Sequence, residues 1–214
     1  RYRDIAVAVS ELSDYAPILR RCFSRAGIPF FMDAKRAVAD HPIAELVSAS
    51  LRCAEKNFRS EDFIRVLKTD MTGVDRDSAE KLENHILKFG LEGKRLCSDE
   101  PSVKKADDIK DFEELEASRL AVAAPILALK ANLSADTAHT AATRVRALYD
   151  YLSALNVSGK LREDCARLKQ DPAMLNYALE NQQIYDTIIE LLDQIIVILG
   201  DEPIGLERFT AVVE

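Results

Sequence analysis

The sequence predicts a mainly α chain that opens with a short βαβ unit and continues as a multi-helix insertion. Three observations carry that prediction. Ile5–Val9 is a near-continuous apolar run, the pattern of a strand buried on both faces of a parallel sheet. Leu12 to Ala26 carries a helical stripe of Tyr15, Ile18, Leu19, Cys22 and Phe23, Gly27 stands where a helix stops, and Pro29-Phe-Phe-Met32 is a second apolar run. Residues 37–214 then show helical patterning with no further strand to complete a sheet. A lone βαβ unit cannot cover its own sheet, because parallel strands need neighbours and packed faces. The expectation is therefore a fragment: residues 1–36 begin an α/β domain, and residues 37–214 are a helical insertion.

Within the insertion, Ala34–Asp40 reads as a turn, and Pro42 suits the first turn of a helix to about Lys56, with Ile43, Leu46, Val47, Ser50 and Leu51 inward. His41 orders that helix start. Ser60 is a fair N-cap for a helix to Leu67, and Asp75 caps Arg76–Phe89, which Gly90 stops. Residues 91–110 are polar and aperiodic and read as an exposed connector. From Phe112 a long helix turns Leu115, Val122, Ile126, Leu129 and Leu133 inward, with Pro125 expected to kink or split it. Ser134 or Asp136 is expected to start the next helix, with Ala138, Ala142, Val145, Leu148, Tyr149 and Leu152 facing in. Val157–Lys169 is a short helix. Ala173–Leu199 is the most apolar helix and is expected at the centre.

Composition narrows the function classes. No apolar stretch reaches the ~20 residues of a membrane span, and the longest candidate, Ile184–Leu199, is broken by Asp186, Glu190 and Asp193. No signal peptide precedes the first strand, so a cytoplasmic location without membrane contact is expected. The net charge of −7 is uneven: residues 1–99 hold 17 Lys/Arg and 16 Asp/Glu, and residues 100–214 hold 12 and 20. Phosphate binding needs clustered cations, so nucleic-acid contact is expected in the first half. Cys22, Cys53, Cys97 and Cys165 form no zinc-type pair, and Cys22, Cys53 and Cys165 read as buried inert thiols. His41, His85 and His139 lack a partner at ligand spacing, and His85 and His139 are expected at solvent or a helix contact. Acidic pairs such as Glu61/Asp62 and Glu163/Asp164 sit on helix faces, which suits a solvated surface better than a metal centre. There is no Gly-x-x-x-x-Gly-Lys-Ser/Thr and no dinucleotide fingerprint.

The wording of the chain resembles known proteins. Asp4-Ile-Ala-Val-Ala-Val9 with Gly27-Ile-Pro-Phe-Phe31 is similar to the opening of the second RecA-like domain (2A) of superfamily 1 helicases, into which a helical 2B domain is inserted. Arg1-Tyr-Arg-Asp-Ile-Ala-Val7, His41-Pro-Ile-Ala-Glu-Leu46 and Asn57-Phe-Arg-Ser-Glu-Asp-Phe63 resemble phrases of the AddB family, the second subunit of the AddAB helicase–nuclease. So do Leu67-Lys-Thr69, Leu82-Glu-Asn84, Phe89-Gly90, Gly93-Lys-Arg95, Leu191-Leu-Asp-Gln194 and Leu199-Gly-Asp-Glu-Pro203, all in family order. The resemblance implies a non-catalytic fragment of a subunit that acts in double-strand-break resection and recombinational repair. Its partners would be DNA at a duplex/single-strand junction and an AddA-like subunit. The family's Mg²⁺ and iron–sulfur cluster belong to a nuclease domain outside this chain, which leaves no cofactor expected here. Chi-hotspot recognition is likewise expected elsewhere in the subunit. Active helicases of this superfamily follow the first strand with an arginine that reaches the nucleotide; here Val9-Ser10-Glu11 stands instead, which suits AddB. The alternatives are the 2B region of an ATP-hydrolysing UvrD/RecB-like helicase and a free-standing helical interaction module.

Two candidate DNA sites follow from the same resemblance. In related 2B domains a Gly-centred loop before a helix start touches the duplex backbone; the matching stretch is Leu67-Lys-Thr-Asp-Met-Thr-Gly-Val74, with Lys68, Thr69, Thr72 and Gly73 as the contacts. Asp70, Asp75 and Asp77 oppose phosphate there, and a plain inter-helix turn is the other reading. Phe31, Lys35 and Arg36 offer a stacking ring with flanking cations at the hand-over to the insertion. Core aromatics are the other reading of Phe30 and Phe31.

Overall fold

Helix boundaries follow the local capping chemistry. The computed structural model describes residues 2–32, 41–103, 111–135, 138–170 and 175–214. After a 3-10 turn at Tyr2–Asp4, the described residues form α1 (Leu12–Arg25), α2 (Pro42–Glu55), α3 (Ser60–Leu67), α4 (Arg76–Phe89) and α5 (Lys94–Cys97). Then come α6 (Phe112–Ala135), α7 (Ala141–Ala154), α8 (Val157–Leu168), α9 (Leu175–Leu199) and α10 (Leu206–Val213). His41 Nδ1 accepts from the Ile43 amide at 3.2 Å and Pro42 fills the first turn of α2. Asp75 Oδ1 accepts from the Ser78 amide at 3.1 Å, and Gly90 closes α4 in the left-handed region at φ 55.

The predicted α2 face is inward throughout: Ile43, Leu46, Val47, Ser50 and Leu51 are buried. It packs against α3, α6 and α10, while α6 also meets α4, α5 and α7, and α9 lies on α7 and α8. The five predicted α6 positions are all buried as well. Ser50 and Tyr151 share a 2.6 Å hydrogen bond in this core, and burial pushes the Tyr151 hydroxyl pKa up.

Several expectations are corrected. The mainly helical class holds; the βαβ opening is not shown, since no strand occurs among the described residues, where Ile5–Val9 and Pro29–Met32 flank α1. Ile5 and Val7 stay 68% and 60% exposed, because a parallel strand has no ladder without neighbours. Of the two outcomes expected at Pro125, the split does not occur, since α6 runs from Phe112 to Ala135 with the proline inside it. The proline removes one helical donor, but Val122, Ala123 and Ile126 on either side are locked in the core. Arg59, not Ser60, holds the N-cap position of α3, and Ser60 Oγ donates to Glu92 at 3.1 Å. Thr140, not Ser134, caps α7 through the Thr143 amide, Asp136 lies outside the described residues, and Ala138 is exposed. Helix α9 is peripheral: Ile188 and Leu192 are buried, whereas Leu191, Val197 and Ile198 are exposed. Cys22 is exposed, while Cys53 and Cys165 are buried.

Residues 91–103 are no loose connector. Leu91 and Leu96 are fully buried, and α5, which carries Leu96, forms between Leu91 and the 98–103 segment. The device that holds them is Arg119, wholly buried on α6. Its guanidinium donates to the carbonyls of Leu96 (2.8 Å), Ser98 (2.9 Å) and Glu100 (3.1 Å) and to Glu116 (2.6 Å). Glu116 also accepts from the Ser102 hydroxyl, and Ser102 Oγ lies 3.1 Å from His85 Nε2. Burial raises the Glu116 carboxyl pKa, but the hydrogen bonds from Arg119 and Ser102 outweigh it and hold the group below its ordinary value; burial holds His85 below its own.

Arg119→Leu should cost about 3–5 kcal/mol, since it strands three carbonyls and a half-buried carboxylate; urea unfolding checks this. Both depressed pKa values contribute stability at neutral pH that is lost as pH falls. His85 acts below its ordinary value of 6.5 and Glu116 below 4.5. Unfolding free energy measured against pH should therefore decline from about pH 6.5 downward. The decline below 4.5 should be shallower in Arg119→Leu, where Glu116 loses its partner.

Candidate nucleic-acid interface

Two left-handed residues shape the loop between α3 and α4. Lys68 ends α3, donating its amide to the Ile64 carbonyl at 3.0 Å. Asp70 sits at φ 58, which a short Asp side chain tolerates, and Gly73 at φ 82, where a Cβ would be strained. Asp75 then opens α4. The predicted Lys68, Thr69, Thr72 and Gly73 thus fall in a single turn, but they are not equivalent. Thr69 is buried and already employed: its hydroxyl donates to the Val66 carbonyl at 2.7 Å and accepts the Met71 amide at 3.4 Å. Lys68 is exposed and paired with Glu83 Oε1 at 2.7 Å, a surface pair weak enough to exchange for another anion. Thr72 is 8% exposed, and its hydroxyl has no hydrogen-bond partner among the described residues. Asp75 is turned onto Ser78, whose side chain and amide hold its carboxyl below the usual range; Asp70 and Asp77 face solvent.

A fifth residue completes the loop and was not legible in the sequence. Lys160, in the first turn of α8, donates from Nζ to the Met71 carbonyl at 2.6 Å across 89 residues of chain. A Cβ on Gly73 would lie 3.7 Å from that nitrogen. Burial lowers the Lys160 pKa, offset in part by Glu163. Nothing local marks Lys160: it lies in the acidic half, beside the buried Val157, Leu161 and Cys165 that seat α8. Lys160 thus brings a cation of the acidic second half to the loop.

The second candidate site is not assembled among the described residues. Phe31 is 84% exposed, and Lys35 and Arg36 lie outside them. No three His, Cys, Asp or Glu side chains converge as a metal group among the described residues. No helix among them is long and apolar enough to cross a membrane.

No family model matches the chain. Curated relatives do, along all of it. The AddB subunits of the ATP-dependent helicase/deoxyribonuclease from Acetivibrio thermocellus, Geobacillus thermodenitrificans and Anoxybacillus flavithermus are 31%, 32% and 33% identical over 224, 234 and 234 residues. Each match covers 100% of this chain and 19–20% of the relative. The chain is AddB-like over its full length. It spans about one-fifth of the length of the AddB proteins it matches, and the loop and α8 both fall inside the matched stretch.

An unpartnered buried hydroxyl weakens a fold. Thr72→Val should therefore be neutral or stabilise the AddB-like chain by up to about 1 kcal/mol in urea unfolding. A loss larger than that would show that the hydroxyl has a partner.

Proposed function

We propose that this chain is the start of domain 2A plus the 2B-type insertion of an AddB-like helicase–nuclease subunit. In that role it guides DNA and contacts an AddA-like partner during double-strand-break resection, without catalysing a reaction itself. Similarity along the whole chain to AddB subunits of the ATP-dependent helicase/deoxyribonuclease is the observation that carries this reading. The exposed Ile5, Val7 and Phe31 support the 2A part of it, since apolar side chains at these positions suit a sheet that further strands would cover. They also weigh against a free-standing interaction module. The sequence Val9-Ser10-Glu11, which lacks a nucleotide-reaching arginine, favours AddB over an ATP-hydrolysing relative. Metal and cluster chemistry belong to parts of the subunit outside this chain.

The DNA contact in this reading is the loop of residues 68–75, with an exchangeable cation at Lys68, a glycine-permitted backbone turn and a helix start behind it. A labelled single-strand/duplex junction, titrated with the 214-residue chain across a salt series, tests it. Binding should weaken as salt rises, and Lys68→Glu should cost roughly tenfold in affinity. Absence of binding even at low salt would overturn the DNA-guiding role.

A further inference from the structure

We propose that Lys160 supplies the cation that holds a nucleic-acid phosphodiester at the 68–75 loop; this rests on the DNA-guiding role above. Of the two lysines near the turn, Lys68 must exchange its Glu83 partner to take an anion, whereas the hydrogen bond of Lys160 among the described residues goes to a neutral carbonyl. That bond leaves two of the three ammonium N–H donors for another acceptor. Gly73 keeps the space beside the nitrogen open: any side chain there would begin 3.7 Å from Nζ and cover the approach. One residue earlier, the buried Thr72 hydroxyl lacks a hydrogen-bond partner among the described residues. Thr69 cannot serve, because both its donor and its acceptor capacity are engaged within the turn.

The surrounding charges select the ligand. Glu163 acts on Lys160, Asp70 and Asp77 face solvent along the loop, and Asp75 is occupied with Ser78. One ammonium among carboxylates suits the single charge of a backbone diester and disfavours free inorganic phosphate, which carries more charge and meets the same aspartates.

The test measures affinity of the 214-residue chain for the labelled junction against salt in Lys160→Met, Lys160→Arg and Lys68→Glu, with thermal unfolding of each and inorganic phosphate as competitor. Lys160→Met should bind about tenfold more weakly, with a log–log salt slope smaller by about 0.9, while Lys160→Arg retains both and phosphate competes poorly. Weaker binding with an unchanged slope would make Lys160 only a clamp on the Met71 carbonyl and overturn the assignment. Wild-type binding by Lys160→Met, with Lys68→Glu impaired, would also overturn it and leave the DNA-guiding loop standing. A wild-type chain that binds no junction DNA overturns both.

Discussion

The buried guanidinium of Arg119 is the constraint on which the helical core depends. Helix α5 is a single turn, and the segment after it offers carbonyls that no helix satisfies. Arg119 takes three of them, from Leu96, Ser98 and Glu100, and is itself neutralised by Glu116. A lysine could not replace it, because one ammonium cannot present a planar fork to carbonyls on two sides. Through this clamp the 91–103 segment becomes part of the α6 wall, and α6 in turn seats α4, whose start frames the loop. Arg144 repeats the device lower on the bundle, donating to the carbonyls of Ile204 at 2.7 Å and Leu133 at 3.4 Å. It ties the end of α6 to the turn that meets Thr140 in an isolated β-bridge with Pro203.

The loop at residues 68–75 is positioned rather than improvised. Thr69 ties the loop back to the end of α3, Asp75 begins α4, and Lys160 reaches in from α8 to hold the Met71 carbonyl between them. Two helices fix its ends and a third fixes its middle. That arrangement gives a short backbone segment a defined shape without a large buried area, as a contact to a repetitive phosphate backbone requires. The net charge of the chain is a poor guide to such a site, since a single well-placed lysine from the acidic half changes the local field more than the sum over distant residues.

What the sequence revealed was what local chemistry decides. The α2 stripe, the Asp75 cap, the Gly90 stop and the inward α6 positions depend on residues within a few turns of one another, and all stand where the pattern put them. Ile5–Val9 has strand composition, and no strand pairs with it among the described residues. Errors arose where distant partners decide. Helix α9 is apolar, yet only one face of it meets α7 and α8. The polar 91–103 stretch is fixed by an arginine some twenty residues on, as the 19–23-residue separations of its hydrogen bonds show. The four predicted loop residues adjoin one another in the chain, whereas Lys160 is brought beside them by the fold alone.

Amide hydrogen exchange of the 214-residue chain with and without junction DNA tests most directly whether this loop is the nucleic-acid contact. Slowed exchange confined to residues 68–78 and the first turn of α8 is the predicted result. Protection spread along α9 and α10, with none at the loop, would contradict it.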